Sequence, residues 1–253
     1  MSLNKRILLF DLDGTLLQND KTISKRTLKI LESCRKKGFL LGIATSRSEA
    51  RSIQFIKELS PEILILSGGA VVKFKEDYIY VDAFSIEDTN GMIRFAREIC
   101  GQDCGITMDT LHEHFSNSNK HLNGGSKYSE FENFEQPGLK LCVEVADENK
   151  AKHLAERLTN CDCSRFFGED WYKFTKKTST KEIAIQKLCK TCDFLPEEII
   201  AFGDDQVDIE MLKLCGIGVA MGNSIEEVKQ IADVVIGNND EDGIAEYLER
   251  YHL

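Results

Sequence analysis

The chain has 253 residues, 42% hydrophobic and 29% charged, which suits a globular protein of one large or two modest domains. Its 32 Lys and Arg against 42 Asp and Glu give a formal charge of −10, which repels nucleic-acid phosphates and anionic lipid and argues against either as the main partner. No apolar run reaches the roughly 18 residues of a membrane span and no secretory signal pattern opens the chain, so a cytoplasmic protein is expected.

The first third alternates strand and helix. Ile7–Phe10 is a short apolar run that ends in Asp-Leu-Asp-Gly. Leu28, Leu31 and Cys34 recur at helical spacing between Ser24 and Lys37, and Gly38 follows as a stop. Residues 39–44 read as a second buried strand. Ser46-Arg-Ser-Glu49 has the form of a capping box and opens a helix to about Leu59. Residues 62–66 give a third strand ending in Ser67-Gly68-Gly69, and 71–81 a hairpin that turns near Glu76.

From about residue 84 the grammar changes. Polar, turn-rich stretches (Ser116 to Asn119, Asn123 to Ser126) separate a helix over 85–99, a strand over 139–145, a helix over 148–158 and a strand over 171–175. The first grammar then returns. Ser179-Thr-Lys-Glu182 and Ser224-Ile-Glu-Glu227 resemble capping boxes, and strands are expected at 199–202, 217–221 and 234–236 before a C-terminal helix. The expected fold is α/β, a doubly wound, mostly parallel sheet covered on both faces and formed by 1–83 and 178–253, with an α+β domain inserted over 84–177.

Open parallel sheets bind ligands at the carboxyl ends of their strands. Asp11 and Asp13, Thr45, Ser67-Gly68-Gly69, and Asp204 with Asp208 all fall at such ends, and Lys181 opens a helix expected on the same side. Carboxylates gathered at one buried edge repel one another and call for a divalent cation. An all-oxygen ligand set suits Mg²⁺, while Thr45 and Lys181 offer a hydroxyl and a point charge to a phosphoryl group. Asp11, ending its strand, is the candidate nucleophile, and Asp13 the candidate acid and base for the leaving oxygen and the attacking water. The expected partner is a small phosphorylated metabolite.

Asp11-Leu-Asp-Gly-Thr-Leu16 resembles the first motif of the haloacid dehalogenase superfamily; a chance match to its Asp-x-Asp-Gly-Thr core is expected about once in a few hundred chains of this length. Ile43-Ala-Thr-Ser-Arg47, Lys181 before Glu182-Ile-Ala184, and Gly203-Asp-Asp-Gln-Val-Asp208 resemble the second, third and fourth motifs, in order. Ala220-Met-Gly-Asn223 and Asn239 to Gly243 are similar to the tail of the Cof-type subfamily, whose insertion is a C2-type (IIB-like) cap on a Rossmann-like core. The resemblance implies a Mg²⁺-dependent phosphatase working through an aspartyl-phosphate. It makes Asp11, Asp13 (through its backbone carbonyl) and Asp204 metal ligands, with Asp208 supporting the metal or Lys181. Thr45, Lys181 and amides near Gly14 and Ser46 would hold the phosphate, and Asn223 would sit at the rim.

Three positions depart from the family pattern: Val207 stands where Asn is usual, Gly68 where Asn is usual, and Ser46 where Gly is usual. The loss of Asn at Val207 keeps a catalytically weak phospholigand-binding protein open, and a mutase or phosphotransferase using the same intermediate stays open if the cap excludes water and holds a second acceptor. Other residues have plainer readings. Lys176 and Lys177 compete with Lys181 for the phosphate role. Asp205 and the Asp240–Asp242 run read as surface, and Trp171 as packing. His112 and His114 alternate as on a strand, which leaves one of them open to face the site from the cap, with a plain exposed strand as the simpler reading; the nine cysteines, Cys189-x-x-Cys192 included, read as free thiols.

Overall fold

The computed structural model describes residues 7–118, 126–166 and 168–251; the turn-rich positions Asn119 and Asn123 to Gly125 lie outside them. The chain divides into two compact units. One comprises Met1–Ser46, Gln54–Tyr80 and Thr180–Leu253, the other Arg47–Ile53 and Val81–Ser179.

The first unit opens with β1 (Ile7–Phe10), α1 (Lys25–Lys36), β2 (Leu40–Ala44), α2 (Glu49–Leu59, which straddles the division), β3 (Ile63–Leu66), β4 (Val71–Phe74) and β5 (Asp77–Val81). It resumes with α5 (Lys181–Cys192), β12 (Ile199–Gly203), α6 (Ile209–Leu214), β13 (Ile217–Ala220), α7 (Glu226–Ile231), β14 (Val234–Val235) and α8 (Gly243–Tyr251). Its eight strands lie in the order β14-β13-β12-β1-β2-β3-β4-β5. All neighbours from β14 to β3 are parallel and β4 is antiparallel to β3. The central strands are apolar throughout because helices cover both faces; every residue of β1 and of β12 is buried.

The chain passes from β1 outward to β2 and β3, and only later returns through β12 on the other side of β1. That reversal creates a crevice at the carboxyl ends of β1 and β12. Phe10 and Phe202, paired in register near those ends, stack at 4.7 Å.

The second unit holds α3 (Ile86–Cys100), β6 (Ile106–Asp109), β7 (His114–Ser116), β8 (Lys127–Tyr128), β9 (Lys140–Glu144), α4 (Glu148–Arg157), β10 (Cys161–Arg165) and β11 (Trp171–Lys176). The sheet order is β10-β11-β9-β6-β7-β8. Ile106, Met108, Phe115, Leu141, Val143, Tyr172 and Phe174 share a core with Met92, Ile93 and Ala96 of α3, so alternate residues form the opposite, polar face.

Several expectations need correction. The Lys181 helix is capped by Thr180, whose hydroxyl accepts from the Ile183 amide at 3.2 Å, and not by Ser179, which donates to Asp82. Ser224 caps nothing; its hydroxyl donates to the Gly203 carbonyl. The helix expected from Ser46 begins only at Glu49. The Asp240–Asp242 run lies directly before α8 with Asp240 and Glu241 exposed, as expected, and it is also bonded: Asp240 accepts from the Asn19 amide at 2.8 Å, and Asp242, at φ 57°, accepts from the Ser24 hydroxyl. Cys189 and Cys192 lie on α5, and among the described residues no disulfide is formed.

His114 is not on an exposed strand. It is 4% exposed, with Nδ1 2.5 Å from Asp109 Oδ1, and the Lys140 ammonium lies 2.7 Å from Asp109 Oδ2. Burial opposes the charge on Asp109, but Lys140 and His114 outweigh it and hold the carboxyl well below the usual carboxylate range. A buried pair whose one member is removed leaves an uncompensated charge. Lys140→Met should therefore destabilise the second unit by about 3–5 kcal/mol, read in urea from the fluorescence of Trp171, the single tryptophan. Because Asp109 is depressed, its contribution is present above the unfolded value of about 4 and fades as pH falls below it.

Candidate active site

Asp11 follows the last residue of β1, and its amide is tied to the Phe202 carbonyl of β12 at 3.0 Å, which fixes it over the crevice. Lys181, the first residue of α5, reaches the same point. Its ammonium is 2.6 Å from Asp11 Oδ1 and 2.5 Å from Asp208 Oδ1, and its residue is 3% exposed. The turn after β3 sets this placement. Gly69 has φ +112°, and a Cβ there would run into the Thr180 carbonyl and stand 3.0 Å from the Lys181 amide; only glycine lets the turn close on the start of α5.

Asp208 is wholly buried, and both of its oxygens are occupied. Oδ1 takes Lys181, and Oδ2 accepts from the amides of Asp204 and Asp205 at 3.1 and 3.2 Å. Asp204 follows β12 and accepts from the Thr15 hydroxyl at 2.6 Å. Gly14 makes room for it: at φ +82°, any Cβ would overlap the Asp204 carboxylate, with Cγ 2.8 Å away. Carboxylate oxygens of Asp11, Asp204 and Asp208 all lie within 4.8 Å of one another.

Three carboxylates thus face one ammonium. Burial pushes the Asp11 carboxyl up to about 8 against the pull of Lys181, and the charges of Asp208 and Asp204 add to the rise. Burial likewise raises Asp204 to about 6; the Thr15 hydrogen bond opposes this, and Asp208 and Asp205 reinforce it. Burial disfavours the Lys181 ammonium too, yet Asp11 and Asp208 outweigh it and hold the amine above its ordinary value. A divalent cation between Asp11 and Asp204 would relieve both carboxyls, and the cluster's hard oxygen donors suit one. The residues present therefore fit a metal.

The remaining expected residues are placed differently. The Asp13 side chain stands outside the cluster, 43% exposed, with Lys21 Nζ 2.9 Å from Oδ1. Thr45 is buried after β2; its amide donates to Ile65 and its carbonyl accepts from Gly68. Ser46 follows it, half-buried. Asn223 is exposed and both ends of its amide are in use: Nδ2 donates to the Gly14 carbonyl at 2.8 Å and Oδ1 accepts from the Asn239 amide at 3.0 Å. Asn223 therefore braces the Gly14 turn. Lys176, one competitor of Lys181, is bound instead to Asp82 in the second unit. Val207 is 47% exposed on the turn before α6, so the Asn-to-Val departure leaves no gap in the buried cluster.

From the sequence alone Thr15 has no role of its own, and Ser67 is placed at a strand's carboxyl end without an assigned contact. Thr15 sits inside the first motif, and that was the available signal. Ser67, at φ 51°, ends β3 with a buried hydroxyl that has no hydrogen-bond partner among the described residues, a state that asks for a ligand or water.

Two outcomes follow from this geometry. Gly14→Ala should displace Asp204 and weaken divalent-cation binding by about 10–100-fold, measured by titration calorimetry. Cation binding must also displace protons from groups raised to about 6 and about 8. Affinity should therefore climb as pH rises from about 5 and level off above about 8, with proton release seen as a buffer-dependent heat.

Comparison with known proteins places this arrangement. Residues 8–248 match the family model described as haloacid dehalogenase-like hydrolase. A 5-amino-6-(5-phospho-D-ribitylamino)uracil phosphatase of Bacillus subtilis is 27% identical, over 97% of this chain and 97% of its own. Among solved structures, a subclass IIB sugar phosphatase of the same superfamily is 26% identical with a TM-score of 0.82, covering 97% of this chain and 98% of that one. A haloacid dehalogenase-like hydrolase from Bacteroides thetaiotaomicron is also 26% identical, with a TM-score of 0.85 over 97% of this chain and 98% of its own. The chain belongs to the haloacid dehalogenase-like hydrolase family, with the Cof-type, subclass IIB organisation.

Proposed function

We propose that this phosphatase hydrolyses small phosphorylated metabolites, with sugar phosphates and phosphorylated sugar-alcohol derivatives as the substrate class, through a phosphoryl group carried transiently on Asp11. The observation that carries the reading is the Lys181 ammonium held between Asp11 and Asp208 beside Asp204. It keeps a carboxylate in place at the end of β1 while opposing the repulsion between that carboxylate and a phosphate. The substrate class draws on the relatives, one acting on a phosphoribitylamino-uracil and another named a sugar phosphatase.

In this mechanism Asp11 and Asp204, with the backbone carbonyl of Asp13, would hold Mg²⁺, which would supply positive charge to offset that of the phosphoryl group. Asp208 serves as a positioning residue, since both of its oxygens are committed to Lys181 and to the turn after β12. Lys181, the Thr45 hydroxyl and the amides of Gly14 and Ser46 bind the phosphoryl oxygens, and the buried Ser67 hydroxyl is a further donor on the same sheet edge. An Asp11 oxygen attacks phosphorus, the bond to the leaving oxygen breaks, and Asp13 gives its proton to that oxygen. Asp13 then takes a proton from water as the water attacks the phosphoryl group, which leaves as phosphate and frees Asp11. Partial exposure suits Asp13 to exchanging protons with solvent, provided it releases Lys21. Residues 84–177 act as the inserted cap that selects the substrate.

Asp11→Asn tests the nucleophile. It keeps the side chain's shape, so the variant should melt as the wild type does while Mg²⁺-dependent phosphate release from a panel of phosphomonoesters falls below detection. Wild-type turnover in that variant would rule Asp11 out. A wild type that binds Mg²⁺ and phosphate yet releases none from any substrate would favour a binding protein.

A further inference from the structure

The second unit contains a cavity of about 630 Å³ that the reaction does not use, within the size range of small-molecule sites. It lies between α3, the end of α4 with the turn after it, and the end of β11. Its walls combine aromatic and basic side chains: Phe84, Phe95, Arg94, Arg157, Lys176 and Lys177. Glu87 and Asp88 are the acidic lining residues, and the Asp88 carboxylate already accepts from the Ser85 hydroxyl at 2.7 Å. Among the lining side chains four cations meet two carboxylates; Lys176 is also paired with Asp82 and Arg94 with Glu98, which leaves Arg157 and Lys177 as the uncompensated charges.

Two of these cations, Arg157 and Lys177, lack a compensating carboxylate among the described residues. The guanidinium of Arg157 lies 4.8 Å, and that of Arg94 5.2 Å, from the Phe95 ring centre. Arg157 and Lys177 have no carboxylate within ion-pair distance among the described residues, and Arg94 has only Glu98 at 3.9 Å. Guanidinium groups over an aromatic ring keep donor N–H groups for an anion beside an apolar surface, a ready arrangement for a ligand that carries both. At the far wall Lys176 is shared: its ammonium is 2.9 Å from Asp82 Oδ1 and donates to the Ala83 carbonyl at 2.6 Å.

We propose that this cleft is a second ligand site of the protein, for a small organic anion carrying a planar apolar ring, with Phe95 and Phe84 against the ring and Arg157, Lys177 and Lys176 around the anionic group. Asp82 competes with the ligand for Lys176. Because Lys176 joins residues 82 and 83 to the end of β11, an occupant meets the segments by which the chain enters and leaves the second unit.

The test is calorimetric titration of the full chain with 1-naphthalenesulfonate, a planar anion with no phosphate to hydrolyse. It reads binding alone, so its result is independent of whether the chain releases phosphate. Saturable binding is expected, weakened at least about tenfold by Arg157→Glu, an exposed position where folding should be unaffected. Asp82→Asn, which removes the competing charge from Lys176, should tighten binding several-fold. No binding at millimolar probe, or equal affinity in wild type and Arg157→Glu, would overturn the proposal.

Discussion

The Lys181 ammonium, 2.6 Å from Asp11 and 2.5 Å from Asp208, is the contact on which the rest of the site depends. Without a partner, Asp11 would be a carboxylate buried among carboxylates, and burial alone already drives its proton affinity up. Removing the amine would leave two buried acids facing each other; removing either acid would leave a buried amine half-compensated. The fold meets this requirement through backbone geometry: the left-handed turn at Gly68 and Gly69 abuts the start of α5, and Thr180 caps that helix one residue before the lysine. Lys181 therefore emerges at the carboxyl edge of the sheet with little freedom to leave.

A second layer of order comes from the turns. Gly14 yields its side-chain space to Asp204, its carbonyl is braced by Asn223, and Asn223 is braced in turn by Asn239. Asn239 also donates to the Leu17 carbonyl, so the turn after β1 and the segment before α8 support each other across more than 200 residues of sequence. One ammonium cannot balance three carboxylates, and the residual negative charge is what makes a divalent cation the natural complement.

Much of this was readable from the residues. An apolar run cut off by Asp-x-Asp-Gly-Thr, and another cut off by Gly-Asp-Asp, announce carboxylates at strand ends, and α/β alternation announces a shared edge. The sequence did not disclose how work is divided within that edge. Asp208 differs from Asp204 only through the donors around it, and Asn223 acts as a brace because of an asparagine 16 positions later. Ser179 and Ser224 match the capping pattern without capping a helix, because a serine three residues before a glutamate fits the pattern whether or not its backbone enters a helix there. In the second unit, β10 reads Cys-Asp-Cys-Ser-Arg, a polar edge strand without apolar alternation, and the burial of His114 beside Asp109 and Lys140 depends on cross-strand register that no local pattern carries.

The most direct measurement is a crystal structure of the protein soaked in Mn²⁺, with the ion located by its anomalous scattering. The account predicts one strong peak within coordinating distance of both the Asp11 and the Asp204 carboxylates, with Lys181 still bound to Asp208. A peak elsewhere, or none at these residues under saturating ion, would contradict it.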